Sequence, residues 1–224
     1  VGEHIFQWVI NNGPCGSTND AVTIRVFDEN NPVANAGPDQ QLCTPTFSTT
    51  LAGSTLIFPA TGQWTLVSGQ GTITDAASPN SGVTNLAIGE NVFEWTVFNG
   101  PCNAPTVDRV SIFVFDEDNA AANAGQDQDL CTPNNSTTLL GNTPTFPATG
   151  TWTLISGQGT ITDPASPTTT VTDLGVGENI FQWTVNNGPC GISTDDLTIA
   201  VFDASELPAN AGPDQSLCSV SGTA

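Results

Sequence analysis

The chain repeats itself with a period of about 88 residues, and this repeat constrains the fold more than any other feature. Trp8, Trp95 and Trp183 stand in the related segments HIFQW, NVFEW and NIFQW, 87 and 88 residues apart. Three NGPC motifs and three DQxLC motifs recur with the same steps. A unit of this length suits one small β-sandwich, so the sequence predicts a tandem array of similar domains.

Linkers rich in Asp, Asn, Pro and Gly set the phase of the repeat. They read FDENNPVANAG, FDEDNAAANAG and FDASELPANAG, a composition typical of domain boundaries. They predict complete domains at residues 32–118 and 121–206, the last two strands of an earlier domain at 1–28 and the first strand of a later one at 209–224. Because one or two strands do not bury a core alone, we expect further copies of the repeat on both sides in the same chain.

Short alternating segments predict β-strands. Phe93, Trp95 and Val97 share one face of a strand, and an Asn-Gly turn leads into a second alternating strand. No long stretch repeats apolar residues at the helical period of about 3.6. The predicted fold is therefore all-β, with antiparallel sandwich domains arranged as a rod. The tryptophans of the complete domains fall on the apolar phase of their strands and are expected in the cores: Trp64, Trp95, Trp152 and Trp183.

The charge composition excludes several classes of function. The chain has 22 acidic and 2 basic residues, which gives a formal net charge of −20. Contact with phosphates needs a basic surface, so binding to nucleic acid is excluded and binding to an anionic membrane is disfavoured. No apolar run reaches the roughly 18 residues of a membrane span, so no membrane insertion is expected. No catalytic motif recurs, and the chain is not expected to be an enzyme.

The repeated motifs resemble a known family. PVANAGPDQ at the domain start, the W-T segment in the middle and the GENxFxWTV hairpin at the end are similar to the PKD/Ig-like family. The added cysteines in DQxLC and NGPC resemble long repeat arrays of secreted Bacteroidota surface proteins, including those of gliding-adhesin type. The resemblance implies Ig/PKD-like sandwiches that act mostly as spacers, outside the cell or at its surface, exported by the type IX route and without catalytic residues.

The six cysteines favour disulfides over a metal site, because no CxxC motif and only one histidine accompany them. In the topology that the resemblance implies, the DQxLC cysteine lies at the bottom of a domain and the NGPC cysteine at its top. These ends are about 25 Å apart at roughly 3.3 Å per strand residue. A disulfide needs Cα atoms about 4.4–6.8 Å apart. The cysteines are Cys15, Cys43, Cys102, Cys131, Cys190 and Cys218.

Three pairing schemes stay open. The favoured scheme joins Cys43 to Cys190 across the joint between neighbouring domains, and pairs the other cysteines with preceding or following domains in the same way. The second scheme places the bridges within domains, as Cys43–Cys102 and Cys131–Cys190. The third leaves cysteines free or pairs them between chains.

Acidic side chains recur at the joints, and calcium is the one candidate cofactor. Ca²⁺ binds about six to eight oxygen ligands, which two adjoining domains could supply together. The alternative is a solvated acidic linker that keeps chains apart. The candidate ligands are Asp28, Glu29, Asp116, Glu117, Asp118, Asp203 and Glu206.

A phenylalanine precedes each acidic linker, at the end of the predicted last strand of a domain. These residues are Phe27, Phe115 and Phe202. An outward aromatic ring at each domain end is unusual unless something covers it. We expect each ring to pack beneath the linker or first strand of the next domain.

The sequence predicts a structural protein: a repeat segment of a large extracellular bacterial filament or cell-surface stalk, with lateral self-association into fibres as a further expectation. One alternative is an adhesin that recognises surface glycans or partner cells, for which the loop aromatics Phe47, Phe58 and Phe146 are candidates. Another alternative is a spacer in a secreted polysaccharide-degrading enzyme whose catalytic domain lies elsewhere.

Overall fold

The computed structural model describes residues 1–205, 209–216 and 218, and it confirms the all-β class. Two single-turn 3-10 helices lie at Gly13–Cys15 and Gly188–Cys190. Neither they nor any other helix of the described residues has the length and apolarity to cross a bilayer. The strands are β1 Gly2–Asn11, β2 Ser17–Val26, β3 Gln40–Cys43, β4 Thr49–Thr50, β5 Thr61–Ser68, β6 Thr72–Ile73, β7 Gly82–Thr84, β8 Gly89–Phe98, β9 Thr106–Phe115, β10 Gln128–Cys131, β11 Thr137–Leu140, β12 Thr149–Ser156, β13 Thr160–Ile161, β14 Thr168–Thr172, β15 Gly177–Asn186 and β16 Ile192–Phe202.

Strands β3 to β9 and strands β10 to β16 form two sandwiches with the same topology. In the first sandwich a four-stranded sheet in the order β3-β9-β8-β5 faces a three-stranded sheet in the order β4-β7-β6. In the second, the orders are β10-β16-β15-β12 and β11-β14-β13. Equivalent strands of the repeat therefore occupy equivalent places, as a tandem array requires.

The first strand of each sandwich is the exception to the antiparallel arrangement that the sequence predicted. Strand β3 pairs in parallel with β9, and β10 pairs in parallel with β16. All other paired strands are antiparallel. The first strand enters its domain from the linker at one end and runs beside the last strand, which leaves at the other end. Both strands therefore end at the same edge of the domain.

Two tryptophans and a phenylalanine form the centre of each core. Trp64 and Trp95 are at most 1% exposed, and their ring centroids lie 5.0 Å apart in the first sandwich. Trp152 and Trp183 repeat the same pair, also at 5.0 Å. Each indole N–H donates a hydrogen bond to an oxygen at the edge of its core, so burial leaves no tryptophan donor unsatisfied.

Strands β1 and β2 form a hairpin that corresponds to the β8–β9 and β15–β16 hairpins. Its ten paired rows hold Trp8 in the position of Trp95, yet Trp8 is 73% exposed whereas Trp95 is fully buried. Among the described residues, no other strand pairs with this hairpin. At the other end, residues 209–216 form no strand, while residues 217 and 219–224 of the predicted first strand of a later domain lie outside the described residues.

Candidate functional site: the joint between the sandwiches

A disulfide joins the two sandwiches. Cys43, the last residue of β3, is bonded to Cys190 at the end of the 3-10 turn between β15 and β16, with their Cα atoms 5.2 Å apart. This pairing belongs to the scheme across the joint. The pairings within domains, Cys43–Cys102 and Cys131–Cys190, are wrong because Cys43 and Cys190 are bonded to each other.

The end of the first sandwich holds Cys43 in place through backbone pairing. Cys43 lies opposite Phe115 in the parallel register of β3 and β9. The next residue continues this contact, because the Thr44 N–H donates to the Phe115 carbonyl at 3.0 Å. The Thr44 hydroxyl then accepts from the Glu117 N–H at 2.9 Å. The sulfur of Cys43 thus sits on a hydrogen-bonded edge rather than on a mobile loop.

The tip of the β15–β16 hairpin, residues 187–190, fits against that edge. The Asn187 side-chain amide donates to the Asp116 carbonyl at 2.7 Å. Gly188 lies over the Phe115 ring so closely that a Cβ at Gly188 would come within 2.6 Å of it, and its φ of +54° also favours glycine. Phe115 is consequently only 6% exposed. The phenylalanine therefore packs under the hairpin tip of the next sandwich, not under its linker.

The same arrangement recurs between the β1–β2 hairpin and the first sandwich. The Asn99 side-chain amide donates to the Asp28 carbonyl at 2.8 Å. A Cβ at Gly100 would lie 2.6 Å from the Phe27 ring. Asn99 and Gly100 are the counterparts of Asn187 and Gly188 in the repeat. The non-covalent part of the joint is therefore a property of the repeat and not of one junction.

A loop aromatic adds a further contact between the sandwiches. The Phe146 ring meets the Phe113 ring edge to face, with centroids 6.4 Å apart. Phe146 is one of the three loop aromatics that the sequence offers for glycan recognition, with Phe47 and Phe58. Phe58 lines a groove with Phe27 and Gly100 at the preceding joint. The side chains of Phe58 and Phe146 are each 62% exposed, and Phe47, in a separate loop, is 38% exposed.

The remaining cysteines have no disulfide partner among the described residues. All of them are exposed: Cys15, Cys102, Cys131 and Cys218. Cys102 lies in the hairpin tip of the first sandwich, where its counterpart Cys190 is bonded. Cys131 ends β10, where its counterpart Cys43 is bonded.

The structure does not gather the acidic linker residues into a metal site. Within residues 1–205, 209–216 and 218, no group of three or more His, Cys, Asp or Glu side chains is close enough to hold a metal ion. Glu206 lies outside the described residues, and calcium binding at the joints remains a prediction. The linker carboxylates accept hydrogen bonds from nearby backbone instead: Asp28 from Asn30, Asp116 from Asp118, and Asp203 from Ser205, which lowers the pKa of the Asp203 carboxyl.

Other acidic side chains tie each linker to the last strand of its own sandwich. The Asp108 carboxylate accepts from the Ala36 N–H at 2.7 Å, and the Asp39 carboxylate accepts from the Ser111 N–H at 2.8 Å. Asp195 and Asp127 make the equivalent contacts in the second sandwich. Sequence reasoning missed these roles. The sequence signal that could have revealed these roles is the recurrence of each aspartate one period later. A count of charges does not show it.

Comparisons with known proteins agree with this fold. Residues 124–201, within the second sandwich, match the family model described as K319L-like, PKD domain. The PKD domain of the KIAA 1837 protein is 27% identical over 41% of this chain and 95% of its own, with a TM-score of 0.35. The PKD domain of human KIAA0319 is 23% identical over 41% and 88%, also at 0.35. The I67–I69 I-band fragment of titin is 12% identical over 89% and 74%, at 0.40.

The search of curated proteins found no match to this chain. The second sandwich matches the PKD model, and the first sandwich shares its sequence motifs and its topology. The chain therefore contains tandem domains with a PKD/Ig-like fold.

Proposed function

We propose that this chain is a structural segment of an extracellular or cell-surface protein, in which PKD/Ig-like domains follow one another as a stiff connector. It performs no reaction. The finer assignment, a repeat segment of a large bacterial filament or stalk with further copies on both sides, is supported by the resemblance of the cysteine-containing motifs and by the exposure of Trp8, whose counterpart Trp95 is buried in a core.

The observation on which the proposal depends is the disulfide between Cys43 and Cys190. A bond between neighbouring domains adds nothing to the core of either one. It restricts how the domains turn relative to each other, which matters for a connector and not for an isolated binding module. The Asn187 and Phe115 contacts beside it restrict the same movement.

The cysteines and the surface charge also support the location. Disulfides form and persist in oxidising environments, so a bond that fixes a joint is expected outside the cytoplasm. The net charge of −20 repels neighbouring chains at low ionic strength and disfavours binding to nucleic acid.

Peptide mapping of protein taken directly from its cells tests the location. Free thiols are blocked with an alkylating reagent during lysis, and the protein is digested without reduction. We expect a Cys43 peptide linked to a Cys190 peptide. Recovery of both cysteines in alkylated form would contradict an oxidising location.

Small-angle scattering tests the stiffness. Cys43→Ser should broaden the distribution of interdomain distances relative to the oxidised wild type, because only non-covalent contacts then hold the joint. Cys102→Ser is the matched control, since it removes an exposed cysteine without a partner among the described residues and should leave the distribution unchanged. Identical distributions for Cys43→Ser and the wild type would refute a role of the disulfide in stiffness.

A further inference from the structure

We propose that the far end of the second sandwich is a preformed docking site for the NGPC hairpin tip of a further copy of this repeat, which it binds covalently through Cys131. We call this site the socket; it consists of Cys131, Thr132, the Phe202 ring and the Asp203 carbonyl. The inference deepens the proposed function, because it names the partner that extends the array and the atoms that recognise it.

The first sandwich shows the equivalent socket in its occupied form. Cys43 is bonded to Cys190, the Phe115 ring lies beneath Gly188, and the Asp116 carbonyl accepts from the Asn187 amide at 2.7 Å. Covalent bond, ring contact and hydrogen bond all reach residues 187–190. The ligand of this surface is thus one short hairpin tip.

The backbone of the second socket already has the geometry of the occupied one. Cys131 lies opposite Phe202 in the parallel register, as Cys43 lies opposite Phe115. The Thr132 N–H donates to the Phe202 carbonyl at 3.0 Å, and the Thr132 hydroxyl accepts from the Ala204 N–H at 3.0 Å. The corresponding distances around Thr44 are 3.0 and 2.9 Å. No rearrangement of this edge is needed before a tip can bind.

The two sockets differ in what covers them. Phe202 is 57% exposed, whereas Phe115 is 6% exposed, and Cys131 is exposed with no partner among the described residues. A ring at the end of a strand that is buried in one repeat and open in the next indicates a surface that a partner covers. The covering group at Phe115 is a glycine, so the partner must present a residue without a side chain at that point.

The preceding joint has the same hydrogen bond and ring contact at a tip that carries no disulfide among the described residues. Asn99 donates to the Asp28 carbonyl, and Gly100 lies over the Phe27 ring, while Cys102 has no partner among the described residues. The hydrogen bond and the ring contact at this joint therefore do not depend on a disulfide. At the socket, the same contacts would bring the tip cysteine to Cys131.

The bond forms by oxidation of two thiols. In a glutathione buffer the Cys131 thiolate attacks glutathione disulfide, which releases one reduced glutathione and leaves a mixed disulfide on Cys131. The tip thiolate then attacks the Cys131 sulfur and releases a second glutathione. Two protein thiols and one glutathione disulfide give one protein disulfide and two reduced glutathiones.

A tandem variant tests the proposal. A second copy of residues 116–202 is inserted between Phe202 and Asp203, so that the first copy's socket is followed by a complete sandwich. The variant carries Cys15→Ser, Cys102→Ser and Cys218→Ser, and Cys131→Ser in the inserted copy. It retains Cys43, the first Cys190, the first Cys131 and the second Cys190, and the Cys43–Cys190 bond serves as an internal reference.

After equilibration in glutathione buffer we expect two disulfides and no titratable thiol, with Cys131 linked to the second Cys190. Phe202→Ala in the first copy is the matched variant; since this ring is largely exposed without a partner, folding should be unaffected. It should lower the equilibrium constant of the Cys131 bond about tenfold, the factor that corresponds to about 1.4 kcal/mol, and leave the Cys43–Cys190 bond unchanged.

Two results would overturn the socket while the reference bond still forms. One is a Cys131 that remains reduced or bound to glutathione. The other is an equilibrium constant that Phe202→Ala does not alter, which would mean that the two thiols meet without recognition. Failure of the Cys43–Cys190 bond to form would instead contradict the proposed function itself.

Discussion

At the scale of single residues, each core depends on a glycine that lets a tryptophan ring lie flat against a neighbouring strand. Gly150 on β12 faces Trp183 on β15, and Gly62 faces Trp95 in the first sandwich. A Cβ built at either glycine would overlap the indole ring. Protein interiors are close-packed, so such an overlap displaces the ring or the strand.

Gly150→Ala should destabilise the second sandwich by about 2 kcal/mol or more, since added methyl groups in a packed core typically cost about 1–3 kcal/mol. Urea unfolding followed by amide exchange measures each sandwich separately. Gly62→Ala should affect the first sandwich instead, so each variant controls the other. A Gly150→Ala protein with unchanged stability would contradict the packing described here.

A buried asparagine links three segments in each sandwich. Asn179 is 2% exposed; its oxygen accepts from the Gln158 N–H at 2.8 Å, and its amide donates to the carbonyls of Gly175, Gly177 and Ile199. Asn91 makes the equivalent bonds in the first sandwich. These bonds satisfy backbone groups that turns at the edge of the core leave unpaired.

Asn179→Ala should lower the free energy of unfolding by about 2–3 kcal/mol, because it leaves several buried backbone groups without partners. Chemical denaturation measures the change. The control is Glu178→Ala, which replaces the exposed neighbouring residue on the same strand. If both variants lower the free energy of unfolding by the same small amount, Asn179 does not hold the three segments together as its contacts indicate.

At the scale of strands and hairpins, the alternation of apolar residues and the repeat period predicted strands and their buried faces. Features that depend on backbone pairing were missed. The alternating residues around Trp95 predicted β8 and the buried face correctly. The parallel pairing of β3 was missed, because a four-residue strand has too few alternating positions to show its direction. The resemblance placed the DQxLC and NGPC cysteines at opposite ends of a domain, which favoured the pairing of Cys43 with Cys190 across the joint but left pairing within domains open.

The contact between Asn187 and Asp116 was also beyond the sequence. The acceptor is a backbone carbonyl, and every residue has one, so the composition of the linker does not reveal it. Attention to the acidic side chains led to calcium instead. The contact between Phe146 and Phe113 of the neighbouring sandwich was also not predicted, because it depends on how the two domains are placed relative to each other.

Asn187→Ala should weaken the joint without unfolding either sandwich. The loss of one hydrogen bond of about 1 kcal/mol should lower the equilibrium constant of the Cys43–Cys190 bond roughly fivefold. Titration with a glutathione buffer and quantification of the linked peptides measures it. Asn99→Ala, the same change at the preceding joint, should leave this constant at its wild-type value. Equal effects of the two variants would show that the hydrogen bond does not position the thiols.

At the scale of the whole molecule, the disulfide makes the stability of one sandwich depend on the other. Its two cysteines are 147 residues apart, and the closed loop contains most of both sandwiches. Closure of a loop of that length lowers the entropy of the unfolded chain by an amount worth up to about 5 kcal/mol in the simplest model. The disulfide therefore stabilises both sandwiches, because the unfolded chain of either one is restricted by the closed loop.

Cys43→Ser should therefore lower the thermal unfolding midpoint of both sandwiches, and Cys190→Ser should do so to the same extent. Calorimetry at a fixed heating rate measures the midpoints. Cys131→Ser removes an exposed thiol on the second sandwich and should change neither midpoint. A loss confined to the sandwich that carries the substitution would indicate a local packing effect.

The position of the disulfide also determines which part of the polypeptide bears tension. Force applied to the two ends of the chain is transmitted along the backbone to Cys43, through the sulfur–sulfur bond, and along the backbone again from Cys190. The loop between these two cysteines, which are 147 residues apart, bears no tension, although it would span roughly 500 Å if it were fully extended. Both tryptophan cores are built mainly from residues inside that loop, so a stretched molecule keeps most of its folded structure out of the load path.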